Sequence, residues 1–443
     1  MIKSIVYLIY NSYIIFRIVN MDKRFKVFGS SDHNKLDELF TEIDNIKKTN
    51  NTIIITDPNL VNDNNTRYKI HEHCNKLDIS SDTIKSSGPG GIFMIIRPIS
   101  EYVLSVQTND KDNIHLTSDD LELFIRLSGL PIDKKLLKSK QIFEYKMSVL
   151  QEFHLKHGNP DSLSPNQLFD MFVEFKSNAK HNIIKYITDI SNKIIDYISK
   201  TTGYKSFNES HFSKIKNDKT IEINNTNPYK ISVNEFWGIS IDIKSANYNI
   251  LKIYDSSIVN NTENWQSFVK LFTNIEFLAQ SKPFRQEVLG KLNASRIANY
   301  QKKLLLDIVT ILKKEQIEID GSINSDELII PASKNNAFQK LELIKNLIAK
   351  TEHPNIWRIE VFRVRPLIEY PTTSFYPFIK DTFINNEKYW TSFACTSKIY
   401  ITQVINYFMN NKIDKYDLTF ADEFGNIHTF DYPLIGKIEN STN

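Results

Sequence analysis

Two groups of residues have the types and spacing to do chemistry. Asp242 stands near the end of the run Ile239-Ser240-Ile241-Asp242-Ile243, whose period of two is that of a strand. A carboxylate at a strand end can face a cleft. Asp326 follows 84 positions later with Glu327 beside it, in QIEIDGSINSDELIIPAS. That segment reads as two strands around an Asp320-Gly321 turn. Pairing of these strands would bring Asp242 and Asp326 together, with Glu327 next to them. Carboxylate oxygens so placed suit Mg²⁺, which takes one or two protein carboxylates together with substrate phosphates. Two such ions can stabilise the attacking and leaving oxygens of a phosphoryl transfer. Asp242 and Asp326 are the candidate metal ligands and Glu327 a third catalytic carboxylate. Lys282, Arg285, Lys291 and Arg296 lie on or beside the intervening helical stretch and can neutralise a triphosphate. Arg285 and Arg296 are eleven apart, about three turns, so they share a face.

The second group is Arg67 and His71. Four residues apart in a predicted helix, they share a face one turn from each other. A guanidinium offers a fixed fork of donors to phosphate, and an imidazole adds a donor or a flat ring for stacking. Lys69, His73, Lys76 and Lys85 add cationic or donor groups nearby.

The elements that must hold these residues follow from periodicity. Leu36, Leu39, Phe40, Ile43 and Ile46 predict an amphipathic helix over 35–48. TIIITDP at 52–58 reads as a strand stopped by Asp57-Pro58, and a helix runs from about Arg67 to Leu77. DISSDTIKSSGPGG supplies turn residues before a buried strand at 92–99. Residues 101–235 read as a helical region, with apolar stripes at 117–129, 140–155, 168–175 and 182–198, and a polar linker at 217–230. From 236 strand and helix alternate. In NIWRIEVFRVRPL, at 355–367, Arg358, Glu360, Arg363 and Arg365 interleave with apolar residues. That pattern fits an edge strand with a charged outer face, or a basic stripe beside a nucleic-acid path. The final seventy residues add short strands such as DLTFADEF and IHTFDYPL.

RYKIHEHCNKLDISSDTI, with strands before and after, resembles the R-3-H domain family, named for an Arg, three residues and a His. The resemblance covers about 36–100. It implies a small α+β fold that binds single-stranded nucleic acid, with Arg67 and His71 in the naming positions and Lys69 and Lys85 supporting them. The sequence departs from the family at Asp78, where a Gly is usual, and at Ser81, where a second His is frequent. SIDIKSANY and INSDELII, within 237–332, resemble the palm domain of nucleic-acid polymerases and tRNA-His guanylyltransferases. That resemblance implies two metal ions held by Asp242 and Asp326, with Tyr248 under an incoming sugar. The hairpin carries Ser-Asp-Glu where the family often pairs two Asp residues. An active palm, an inactive palm-like scaffold and solvated carboxylates on an ordinary sheet all remain open.

Composition bounds the rest. Fifty-five Lys and Arg against 52 Asp and Glu exclude a histone-like polycation but leave room for a local basic patch. Two cysteines exclude a disulfide scaffold and a thiolate-built zinc site, and fit a reducing, intracellular compartment. Twelve glycines in 443 residues argue against Gly-rich phosphate loops. No HExxH, Walker or GxGxxG signature is present, and Cys74 reads as a buried helix cysteine. Ile, Asn and Lys are abundant, as in large DNA viruses and other AT-rich genomes. Residues 1–20 read as an apolar leader, a misassigned start before Met21, a membrane-interacting segment or an N-terminal strand. The run is too short to span a bilayer.

The expected chain is therefore α+β. It has a small α/β nucleic-acid-binding module at 36–100, a helical region at 101–235, a palm-like α/β domain at 236–370 and an extension at 371–443. The expected function is binding of single-stranded RNA or DNA. Alternatives are a Mg²⁺-dependent nucleotidyltransferase and a non-catalytic structural or interaction protein.

Overall fold

The computed structural model describes residues 25–28, most of 37–44, 52–55, 64–76, 79–85, 92–98, 104–107, 113–178, 182–209, 235–317, 319, 322–323, 327–367, 378–394, 396–410, 412–421 and 427–430. In the strands before residue 108 it describes the backbone alone. The leader at 1–20 and the linker at 217–230 lie outside the described residues. The fold is α+β and divides into two compact units, 1–101 and 102–443.

The first unit is a four-stranded sheet with helices. Strands β1 (Phe25–Phe28), β2 (Thr52–Ile55), β3 (Ile79–Lys85) and β4 (Ile92–Pro98) lie in the order β1-β2-β4-β3, and helix α1 (Asn64–Lys76) connects β2 to β3. Ile70 and Cys74, four apart on α1, are fully buried, as are Leu39 and Ile43 of the preceding helical segment. That spacing is the apolar stripe of two amphipathic helices. One expectation is corrected. The Ser- and Asp-rich stretch after α1 is strand β3, which pairs with β4 along all seven of its residues. Edge position explains it: β3 has one neighbour, so polar side chains cost little.

The second unit opens with a hairpin, β5 (Leu104–Gln107) and β6 (Asn113–Leu116). Helices α2 (Ser118–Ser128), α3 (Lys140–His157), α4 (Pro165–Asn178) and α5 (Ile183–Lys200) follow where the apolar stripes predicted them, and α6 (Thr202–Glu209) is a further helix that no stripe predicted. Helix α2 starts on a capping box, Thr117 with Asp120, and stops at Gly129, whose φ of 72° lies in the left-handed region that glycine enters most easily.

Then comes the sheet that positions the candidate site. Strand β7 (Phe236–Ile243) leads to helices α7 (Ala246–Tyr254), α8 (Trp265–Val269), α9 (Glu276–Gln280), α10 (Lys282–Gly290) and α11 (Ala294–Lys314). Strands β8 (Ser322–Ile323) and β9 (Glu327–Ala332), helix α12 (Ala337–Ile348) and strand β10 (Trp357–Pro366) complete a β-α-β-β-α-β unit. Its order, β10-β7-β9-β8, with every neighbouring pair antiparallel, is ferredoxin-like. Strands β11 (Phe378–Ile384) and β12 (Glu387–Ala394) extend it to six strands. Their hairpin turns through Asn385 and Asn386, both at positive φ, as a two-residue hairpin loop requires. Helix α13 (Ile401–Asn410) and the pair β13 (Thr419–Ala421) and β14 (Ile427–Thr429) close the unit.

Alternation gives the sheet two unlike faces. Ile239, Ile241 and Ile243 of β7, Leu328 and Ile330 of β9, and Trp357 and Val361 of β10 join one core with Leu305, Ile308 and Leu312 of α11 and Ile344 of α12. That core also takes in helices α2 to α6, so the helical region, the sheet and its extension share one interior. Strand β10 is central, between β7 and β11, and not an edge. The opposite face carries Asp242, Ser240, Glu327, Arg358, Glu360 and Lys380, beside a separate apolar cluster of Ile329, Phe362 and Val364.

Candidate active site

Register fixes the carboxylates. Asp242 lies directly across from Glu327 of β9 on one side and from Arg358 of β10 on the other. Opposed residues of an antiparallel pair stand about 4.5–5.5 Å apart at Cβ and on one face. Arg358 donates from Nη2 to Asp242 Oδ2 at 2.5 Å, and its Nε lies 3.7 Å from Glu360 Oε2. Ser240 donates to Glu327 Oε1 at 2.6 Å. Lys380, one strand beyond β10, lies in the field of Glu327, Glu360 and Asp242, and its Nζ sits 4.6 Å from the centroid of the Phe362 ring. Burial pulls the Lys380 ammonium below its ordinary pKa, against those carboxylates. Gly238 makes the neighbouring aromatic packing possible: a Cβ there would meet the rings of Phe362 at 2.8 Å and Phe236 at 2.9 Å.

The turn after Asp242 is built as deliberately. Ser245 caps α7 at a φ of 44°, a region that side chains other than Gly seldom occupy, and its hydroxyl makes no capping bond. It receives instead a hydrogen bond from Arg285 Nη1 at 3.0 Å. Asn249 Nδ2 donates to the Lys244 carbonyl, and the Lys244 amide donates to the Ile356 carbonyl at 2.8 Å. On α11, Gln301 Nε2 donates to Asn247 Oδ1 at 3.0 Å. Arg285 is mostly buried, and burial lowers its pKa. Ser245 is its hydrogen-bond partner, and it makes no ion pair with a carboxylate among the described residues. A partly buried guanidinium whose described hydrogen-bond partner is a neutral hydroxyl is a natural receptor for phosphate.

The other triphosphate candidates lie elsewhere. The stretch read as one helix breaks at residues 291–293, where the Asn293 side chain accepts from the Arg296 amide and starts α11 afresh. Arg285 and Arg296 therefore belong to different helices and do not share a face. Arg296 packs its guanidinium 5.3 Å from the Phe207 ring centroid. Lys291 donates to Ser191 Oγ at 3.3 Å and lies 3.5 Å from Glu287. Tyr248 is not under a sugar site. It is 1% exposed, and its hydroxyl is bound to Thr262 at 2.8 Å inside the core. The predicted basic stripe on β10 splits between two faces. Arg358 joins Asp242, whereas Arg363 and Arg365 bind the buried Asp381 at 2.7 and 3.3 Å.

Asp326 lies outside the described residues, immediately before Glu327 at the start of β9. Among the described residues no three His, Cys, Asp or Glu side chains form a metal-binding group. Asp242 and Glu327 still make a donor set of the right chemistry for Mg²⁺, which asks for one or two protein carboxylates and completes its octahedron with phosphate and water.

On the first unit, Arg67 and His71 lie within α1, and their side chains, like that of Lys85, are outside the described residues. Lys69 is exposed, as is Tyr68 at 69%. His73 has a different job from the one its position suggested. Its Nε2 is 2.8 Å from Asp44 Oδ1 and its ring stacks on Phe40 at 4.4 Å, so it ties α1 to the preceding helical segment. Cys74 is buried as expected.

Sequence reasoning missed Ser240, Ser245 and Lys380. The alternation of β7 places Ser240 on the Asp242 face, so that signal was present. Lys380 sits on a strand that was not predicted, and nothing in the sequence marks Ser245 as strained. Comparison of the chain with protein-family models, curated proteins and solved structures gives no match in any of the three. Among the described residues no helix is long and apolar enough to cross a membrane.

Proposed function

We propose that the chain is a Mg²⁺-dependent nucleotidyltransferase acting on single-stranded nucleic acid, with a palm-type sheet in its second unit. The observation that carries this reading is the strand order β10-β7-β9-β8. It sets Asp242 beside Glu327 on the face turned away from the helices, at the strand end that leads into the Arg285–Ser245 turn. Asp242 and Glu327, with Asp326, would hold the metal. Bound there, the ion would offset negative charge developing on the transferred phosphate. Arg285 binds the nucleotide phosphates, and Ser245 fixes the angle of its guanidinium. Glu327 is oriented by Ser240. The R-3-H-like unit supplies strand affinity through Arg67 and His71, supported by Lys69 and Lys85, mostly as phosphate charge with added stacking.

The test is incorporation of labelled nucleotide onto single-stranded RNA and DNA ends with Mg²⁺ or Mn²⁺. Activity that disappears in Asp242→Asn supports the proposal; no incorporation on any end with either metal removes it. A second reading, binding without chemistry, is favoured by one observation: Arg358 already neutralises Asp242. Under either reading Arg67→Ala with His71→Ala lowers oligonucleotide affinity, measured by fluorescence anisotropy at several salt concentrations. Unchanged binding by that folded double variant would end the assignment of the first unit.

A further inference from the structure

The carboxylate face holds its own cations, and they differ in how they are held. Lys380 is mostly buried, with its ammonium on the Phe362 ring. Arg358 reaches Asp242 from a side chain that is 52% exposed, while the Asp242 side chain is only 16% exposed. A carboxylate so shielded from water needs a counter-charge, and an arginine half in solvent is a counter-charge that can leave. Ion pairs open to solvent are weakly held, so solvent and a competing cation can displace one. Of the other described charged groups of this face, Glu327 and Glu360 are anions, and Lys380, in the field of Asp242, is mostly buried against Phe362.

Resting on the metal-site reading above, we infer that Arg358 is a built-in stand-in for the metal. Its guanidinium aligns the Asp242 carboxylate, and must swing off Oδ2 before a divalent ion can bind. The fork and the ion compete for one carboxylate. Apparent metal affinity is then the intrinsic affinity reduced by the fraction of molecules in which Arg358 has let go. The device would keep the site from collapsing while it waits and would set a threshold of metal concentration for loading.

The experiment is Mn²⁺ binding to the full chain, followed by titration calorimetry and by loss of the free-ion electron paramagnetic resonance signal. The proteins are wild type, Arg358→Gln, Arg358→Lys, Asp242→Asn and the Arg358→Gln/Asp242→Asn double variant. Arg358→Gln should bind Mn²⁺ about fivefold tighter or more. Arg358→Lys, which keeps the charge and loses the fork, should fall between it and wild type. It also serves as the test if the glutamine variant fails to fold. Asp242→Asn should remove the site in both backgrounds. Equal or weaker binding by the folded Arg358 variants, with Asp242-dependent binding intact in wild type, overturns the stand-in and leaves the metal site standing. No Asp242-dependent Mn²⁺ binding in any of these proteins overturns both.

Discussion

Strand β10 carries two arginine–carboxylate groupings on its opposite faces, and they are built to opposite specifications. On the core side Asp381 is fully buried and receives Arg363 at 2.7 Å, Arg365 at 3.3 Å and the Thr391 hydroxyl at 2.9 Å. On the far side Asp242 has one arginine, half in solvent, and lies opposite a second carboxylate. A buried carboxylate that lost its partners would be a severe liability, so Asp381 is locked by several groups. Asp242 pairs with an arginine that stands half in solvent. The first arrangement stabilises a fold, and the second leaves a carboxylate available.

Breaking the buried grouping should have the largest effect. Asp381→Ala leaves Arg363 and Arg365 without their shared anion, and is expected to cost about 3–5 kcal/mol in urea unfolding. Asp242→Asn should lower nucleotide incorporation about a hundredfold or more while the melting temperature stays nearly unchanged. Similar stability losses in the two variants would erase the distinction.

Acid sharpens it further. Burial alone would push the Asp381 carboxyl up, but hydrogen bonds from Arg363 and Thr391 and the charge of Arg365 outweigh it and hold the pKa below the ordinary value. A depressed carboxylate contributes stability above the unfolded-chain value near 3.9, and that contribution is lost as pH falls through the folded value. Wild type should therefore lose stability below about pH 4 more steeply than Asp381→Asn, as followed by urea unfolding.

Lys146 is an intermediate case, a buried cation whose hydrogen-bond partner is a hydroxyl, Thr402 Oγ1 at 2.9 Å. Burial lowers its pKa to about 8. The unfolded chain then holds the proton more tightly, so stability should rise between pH 8 and pH 10 by about 2 kcal/mol at most. Lys146→Met should flatten that rise. The smallest effect belongs to Arg358→Ala, expected to change stability by less than about 1 kcal/mol.

Much of this was legible because period and register are local. The Ile239-Ile241-Ile243 alternation marked β7 and put Asp242 and Ser240 on the face away from the core. Asp-Glu at the start of β9 marked the hairpin partner. Failures came where tertiary context decided. Ile79–Lys85 carries turn-forming residues yet is a strand because β4 pairs with its whole length. Strand β10 reads as an edge if its arginines are solvated, whereas two of them pair with the buried Asp381 of β11. Two signals were present and overlooked. Asn293 is an N-cap in the middle of an apolar-periodic stretch, and Asn385-Asn386 is a hairpin turn between two strands rich in aromatic and β-branched residues. Lys380 went unseen with the strand that carries it.

The position of β7 at the centre of its sheet has a consequence for how the protein is made. Its two neighbours are β9 and β10, which begin at Glu327 and Trp357. During synthesis β7 leaves the ribosome with both of its hydrogen-bonding edges unmatched, and they stay so while five helices are translated. Such long-range pairing folds slowly and exposes strand edges in the interval. The nascent chain must therefore be guarded, by its own helices or by a chaperone, until Pro366 emerges.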